Sequence, residues 1–139
     1  MSGYLLETDV VSELSKPTLH PAIVTFLDAE DDLWLSVIVL QELSLGVRLL
    51  PEGRRRDGLR AWLSQLLSNF VERVLPIERP EAQQAAALPA RAHRSGRGLQ
   101  LANALIAGTA VTHDFTVATR NIRDFDGLGI HVVDPWRTT

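Results

Sequence analysis

Cysteine is absent from the chain, which removes disulfides and thiolate metal sites and fits a reducing compartment. No apolar run approaches the ~20 residues that a membrane span needs, and no basic stretch precedes an apolar core at the N-terminus. These absences lead us to expect a cytoplasmic protein without a membrane partner. Charge of one sign is also lacking: the net charge is −3, so no global basic field draws in nucleic acid. Lysine is nearly absent, since all but one of the 14 basic residues are arginine. Arginine suits bidentate phosphate or carboxylate pairing, although GC-rich coding produces the same bias. The four histidines, His20, His93, His113 and His131, show no ligand spacing. No glycine-rich loop follows the first apolar run and no serine or cysteine sits in a nucleophile elbow, so P-loop, dinucleotide and nucleophile-elbow chemistries have no support.

What is present is an ordinary apolar content of 45% over 139 residues, enough for one domain with a real core. The opening segment organises the rest. Tyr4-Leu5-Leu6 reads as a buried strand that delivers Glu7, Thr8 and Asp9 to its C-terminal end, with a helix over Ser12–Ser15 behind them. In open α/β sheets, sites form outside the carboxyl ends of the strands. Thr8 or Asp9 serves equally as a helix cap, and on this segment alone capping is the commoner use.

A helix is expected over Ala22–Ala29, and Glu30-Asp31-Asp32 reads as a solvated acidic turn. Leu33–Val39 is apolar and β-branched like a strand covered on both faces, and it passes into a helix from Leu40 that carries Glu42 in its first turn. A carboxylate there gains about 0.3–1 kcal/mol from the helix dipole alone, yet it repeats the placement of Glu7. Arg54, Arg55 and Arg56 precede an apolar stripe of Leu59, Trp62, Leu63, Leu66, Leu67 and Phe70. Exposed basic helix starts are common, and phosphate contact is the functional alternative.

Val74–Ile77 is a third strand, followed by a helix over Glu81–Arg94 that Pro89 kinks and a loop over Ser95–Gly98. The next helix spans Leu99–Val111, burying Leu101, Ala102, Leu105, Ile106 and Thr109 and carrying Asn103 near its start. Phe115–Thr119 and Ile130–Val133 are further strands. Strands alternating with helices predict one α/β domain over residues 1–139, with a mostly parallel five-stranded sheet flanked by helices.

In order, the segments Leu-Leu-Glu7-Thr8-Asp9, Glu42 early in a helix, Leu-Ala-Asn103-Ala-Leu-Ile-Ala, Val-Ala-Thr119-Arg120-Asn121-Ile-Arg-Asp124-Phe and Asp-Pro-Trp resemble the PIN-domain ribonucleases. The resemblance is closest to the VapC and FitB-like toxins of bacterial toxin–antitoxin systems, and it covers nearly the whole chain. It implies a Mg²⁺-dependent endoribonuclease, with Mn²⁺ as substitute, that hydrolyses RNA phosphodiesters. The implied partners are a VapB- or FitA-like antitoxin, the RNA and a second copy in a homodimer. It assigns catalytic roles to Glu7, Glu42, Asn103, Asn121 and Asp124, metal binding to Glu7, Glu42 and Asn103, and support to Thr8, Asp9 and Thr119. Arg54, Arg55, Arg56 and Arg120 become phosphate contacts.

The chain departs from the family pattern with Glu7 and Asn103 where Asp is usual, and with Asp9 where Asn is common. An extra methylene shifts the Glu7 carboxylate by roughly 1 Å, a misplacement that can cost about 100-fold in rate. Asn103 removes a ligand charge, on which cation affinity depends. Weakened activity is therefore expected. The alternative is a catalytically inactive PIN-like domain that binds its antitoxin or RNA.

Overall fold

The computed structural model describes residues 3–93 and 99–137. Strand β1 (Tyr4–Leu6) leads into helix α1 (Thr8–Glu13), and helix α2 (Pro21–Ala29) precedes strand β2 (Leu33–Ser36) and helix α3 (Val37–Arg48). Helix α4 (Arg54–Asn69) and strand β3 (Val74–Leu75) follow, then helices α5 (Arg79–Ala86), α6 (Ala90–His93) and α7 (Leu101–His113). Strand β4 (Thr116–Ala118), a 3-10 turn over Ile122–Phe125 and strand β5 (Val132–Val133) complete the chain.

The strands form one sheet in the order β3-β2-β1-β4-β5, and every pairing is parallel. The chain first builds outward from β1 through β2 to β3, then crosses to β4 on the other side. The switch point therefore falls between β1 and β4, where open parallel sheets leave a crevice outside their carboxyl ends. The pairing of Leu6 with Ala118 sets the register there, so Glu7 and Thr119 emerge side by side.

Alternation along the strands divides the core into two layers. Leu5 and Val117 pack with Ile106, Ala107 and Ala110 of α7 and Ala85 of α5. Leu6, Leu35 and Ala118 pack with Val10, Val11, Val39, Leu43 and Leu63 from α1, α3 and α4. The α5–α7 contact is close because both helices present small residues. A Cβ on Gly108 would lie 2.4 Å from the Glu81 carbonyl oxygen and 2.7 Å from the Ala85 nitrogen. Among the described residues no helix is long and apolar enough to cross a membrane.

Several boundaries differ from expectation. The apolar run after Leu33 is not strand to Val39: it ends at Ser36, whose Oγ accepts a hydrogen bond from the Ile38 N–H at 3.0 Å and caps α3. Val37, Ile38 and Val39 are helical because this cap and the packing of Val39 override their β preference. Glu42 consequently sits in the second turn of α3, not the first. Helix α1 starts at Thr8 rather than Ser12, with Glu7 at its N-cap position. Pro89 does more than kink its helix, because α5 stops at Ala86 and α6 resumes at Ala90. Arg94 and the loop over Ser95–Gly98 lie outside the described residues. Leu101 is 74% exposed instead of buried, since the inner face of α7 is formed from Ala104 onward, with Ile106 and Thr109 buried as expected. The acidic turn is partly structural: Asp32 accepts from Trp34 Nε1 at 2.7 Å and pairs with Arg73 at 3.0 Å.

Candidate functional site

Glu7 stands one residue past the central strand, and its main chain is fully committed. Its N–H donates to the Ala118 carbonyl at 3.0 Å, and its own carbonyl accepts from Val10 and Val11. Its side chain is committed only in part. Oε1 is buried and has no hydrogen-bond partner among the described residues, an arrangement that costs free energy unless another group satisfies it. Burial pushes the carboxyl pKa up to about 7, and the negative charges of Glu42, Asp9 and Asp124 push in the same direction. A hydrogen bond from the Thr8 backbone works against them. Four acidic side chains therefore share one field at the sheet's switch point.

Two threonines hold two of these acids. Thr8 Oγ1, in the first turn of α1, donates to Glu42 Oε1 at 2.5 Å and so ties α1 to α3. Thr119, fully buried just past β4, donates to both oxygens of Asp9, at 3.1 and 3.3 Å. Asp9 also accepts from the N–H groups of Arg120 and Val10, each at 2.8 Å. Neither Thr8 nor Asp9 is the N-cap residue, although Asp9 bonds the adjacent Val10 N–H. Thr119 Oγ1 in turn accepts from the Asn121 N–H at 3.0 Å. Asp9 and Thr119 thus clamp the segment that presents Asn121 and Asp124, both exposed, on the 3-10 turn.

Asn103 is half-buried in the first turn of α7, a helix that contacts α3. Its side chain makes no hydrogen bond to the acids. Among the described residues no three acidic or histidine side chains already stand in an ion-holding arrangement.

The arginines separate into two places. Arg54, Arg55 and Arg56 form the first turn of α4, where Arg56 Nε is buried without an acceptor. Arg120 lies elsewhere, its guanidinium 3.9 Å from the centre of the Trp136 ring. It lines a cleft of about 660 Å³ with Asn121, Ile122, Arg123, Asp124, Asp134 and Arg137. Arg123, Asp134 and Arg137 had no assigned part in the sequence reading. The signal for Asp134 and Arg137 was the Asp-Pro-Trp segment, whose use emerges only when β5 pairs with β4 and Trp136 meets Arg120.

The model of the PIN domain matches residues 4–129 of this chain. The chain is 37% identical to the toxin FitB of Neisseria gonorrhoeae over 135 residues, 95% of this chain and 97% of that protein. It is 36% identical to a VapC ribonuclease of Sinorhizobium fredii over 135 residues, 95% of this chain and 96% of that one. The solved structure of FitAcB from Neisseria gonorrhoeae superposes with a TM-score of 0.87 at 36% identity, covering 97% of this chain and 99% of the other.

Proposed function

Since the chain belongs to the PIN-domain family, we propose that it is an endoribonuclease toxin of the VapC and FitB kind, neutralised by a cognate antitoxin. One observation carries the reading: an unpartnered, buried Glu7 oxygen lies in the field of Glu42, Asp9 and Asp124 at the switch point of the sheet. Carboxylates about 4 Å apart repel by roughly 4 kcal/mol at an effective dielectric of 20, which a hard cation removes. The donors here are all oxygens, the set Mg²⁺ prefers, and the orphaned atom fits such an ion. Glu7 and Glu42 would hold it, and Asn103 would offer a neutral amide oxygen. When bound, the ion supplies a water activated for attack on the phosphodiester and offsets charge on the phosphoryl oxygens.

The remaining steps belong to the chain's own residues. Thr8 fixes the Glu42 carboxylate, and Glu7 must lose its proton before it can serve as a ligand. Asp9 and Thr119 hold Asn121 and Asp124 at the rim, while arginines of the α4 start and Arg120 contact phosphates that position the strand. Mg²⁺ is the proposed ion, with Mn²⁺ as substitute, and homodimerisation is the proposed assembly. The inactive reading draws support from Asn103, which places no charge at its position.

The test is cleavage of a mixed RNA pool with Mg²⁺ or Mn²⁺, running the chain beside a Glu7→Asp/Asn103→Asp double variant. We expect chelator-sensitive cleavage by both, faster in the variant. Cleavage by the variant alone supports the inactive binding module. Absence of cleavage by both, on every RNA offered, refutes the ribonuclease reading.

A further inference from the structure

The site described so far can act on one phosphodiester, but a strand must also be held on either side of it. Resting on the ribonuclease reading, we propose that the cleft lined by Arg120, Arg123 and Arg137 seats the backbone phosphates of single-stranded RNA beside the acids. The cleft adjoins the acidic field directly, because its lining includes Asp124, whose charge Glu7 senses.

The charges in the cleft are arranged asymmetrically. Asp134 is buried and fully occupied: Oδ1 accepts from the Trp136 N–H at 2.9 Å, and Oδ2 faces Arg137 Nε at 3.5 Å. Asp134 therefore pairs with Arg137, whose side chain is 86% exposed. The Arg120 guanidinium carbon lies 3.9 Å from the Trp136 ring centre, a contact that positions the group without using any of its donors. Among the described residues the Arg120 and Arg123 guanidiniums make no hydrogen bond or ion pair. Two guanidiniums with unspent donors and a third held by a neutralised carboxylate suit a run of phosphates. A local cluster is also what a chain of net charge −3 needs, since its global field gives no attraction. An acidic peptide is the rival occupant. It is disfavoured because the cleft lining includes Asp124, which shares a field with Glu7, where the ribonuclease reading calls for a phosphodiester.

The experiment measures binding of a fluorescein-labelled single-stranded RNA of mixed sequence in EDTA across a salt series. The full chain is compared with Arg120→Gln, Arg123→Gln and Arg79→Gln, the last an exposed arginine outside the cleft. Arg123→Gln is the decisive variant, because its guanidinium makes no hydrogen bond or ion pair among the described residues and lines the cleft. Each cleft substitution should weaken binding about 5- to 10-fold at low salt. It should also reduce the log–log salt slope by about 0.7 for each lost phosphate contact on a single strand. Arg79→Gln should change neither.

If both cleft variants bind RNA with the parent's affinity and slope, the proposal is overturned, while cleavage by the parent would leave the ribonuclease reading intact. Binding of labelled poly-glutamate by the parent that Arg123→Gln loses, with RNA binding unchanged, overturns it in favour of an acidic partner. If the parent neither binds nor cuts RNA, both readings fall together.

Discussion

Replacing Glu7 with glutamine should flatten the pH dependence of stability in the metal-free protein. The folded carboxyl has its pKa at about 7 against an ordinary value of 4.5. Its protonated form is the one the fold accommodates, so the stability it contributes is fully present in acid and is lost as pH rises from 4.5 through 7. At about 1.4 kcal/mol per pH unit, the whole loss is about 3 kcal/mol, of which about 2.5 falls between pH 5 and pH 8. For a domain of this size that corresponds to a melting temperature about 8 °C lower at pH 8 than at pH 5 from this group alone. Glutamine keeps the shape and cannot ionise, so the Glu7→Gln curve should lack this component while every other titration stays common to both proteins. Melting in EDTA at half-unit pH intervals gives the difference curve directly. Adding Mg²⁺ should reverse the trend in the parent, because an ion that binds only the folded, deprotonated site stabilises more as pH rises. Parallel parent and Glu7→Gln curves across this range would show that Glu7 does not carry a raised pKa, and the acid-field argument would fail.

Asp9→Ala should strand the Thr119 hydroxyl and the Arg120 N–H and loosen the segment carrying Asn121 and Asp124. Its kcat/KM on RNA should fall about 10- to 100-fold, and Asp9→Asn, which keeps one acceptor, should recover part of the loss. Gly108→Ala should lower stability by about 1–3 kcal/mol through overpacking of α5 against α7, read as a lower melting temperature. Glu81, buried in α5, accepts from the Glu78 N–H at 2.9 Å and bonds His113 Nε2 at 3.0 Å. Burial pushes its pKa up, but these bonds outweigh it and hold the carboxyl below its ordinary value. Its contribution is present at neutral pH and lost as pH falls through the folded value, so Glu81→Gln should flatten the acid limb of a denaturation series.

The architecture was legible because its signals are repetitive. Short apolar runs followed by amphipathic segments leave few arrangements other than a parallel sheet covered by helices, and β1 through β5 appeared where those runs stand. What failed were boundaries decided by single polar atoms. The run from Leu33 to Val39 has no internal feature in apolarity that separates strand from helix. The Ser36 hydroxyl separates them, and its effect on Ile38 is visible only when the main chain turns. The same limit hid the part played by Asp32, whose partners Trp34 and Arg73 come together through the pairing of β2 with β3.

The candidate site was legible in a different sense, through the positions of its acids but not their division of labour. Glu7, Glu42 and Asp124 were given catalytic roles and Asp9 a supporting one, but nothing in the sequence said how each carboxylate is engaged. Asp9 has both oxygens engaged by Thr119 and the Arg120 and Val10 N–H groups. Glu42 has one oxygen held by Thr8. Glu7 retains a buried oxygen with no donor at all. A carboxylate saturated by the fold positions its neighbours, whereas one starved of donors is the place where a ligand gains most. Register causes that ordering: Leu6 pairs with Ala118, so Glu7 and Thr119 leave the sheet level with each other, and the α1 turn carries Asp9, not Glu7, onto the Thr119 hydroxyl. Shifting the β1–β4 pairing by one residue would invert every side chain on β1 and exchange Leu5 with Leu6 between the core layers. The packing that fixes those two leucines is therefore also what leaves Glu7 open at the rim.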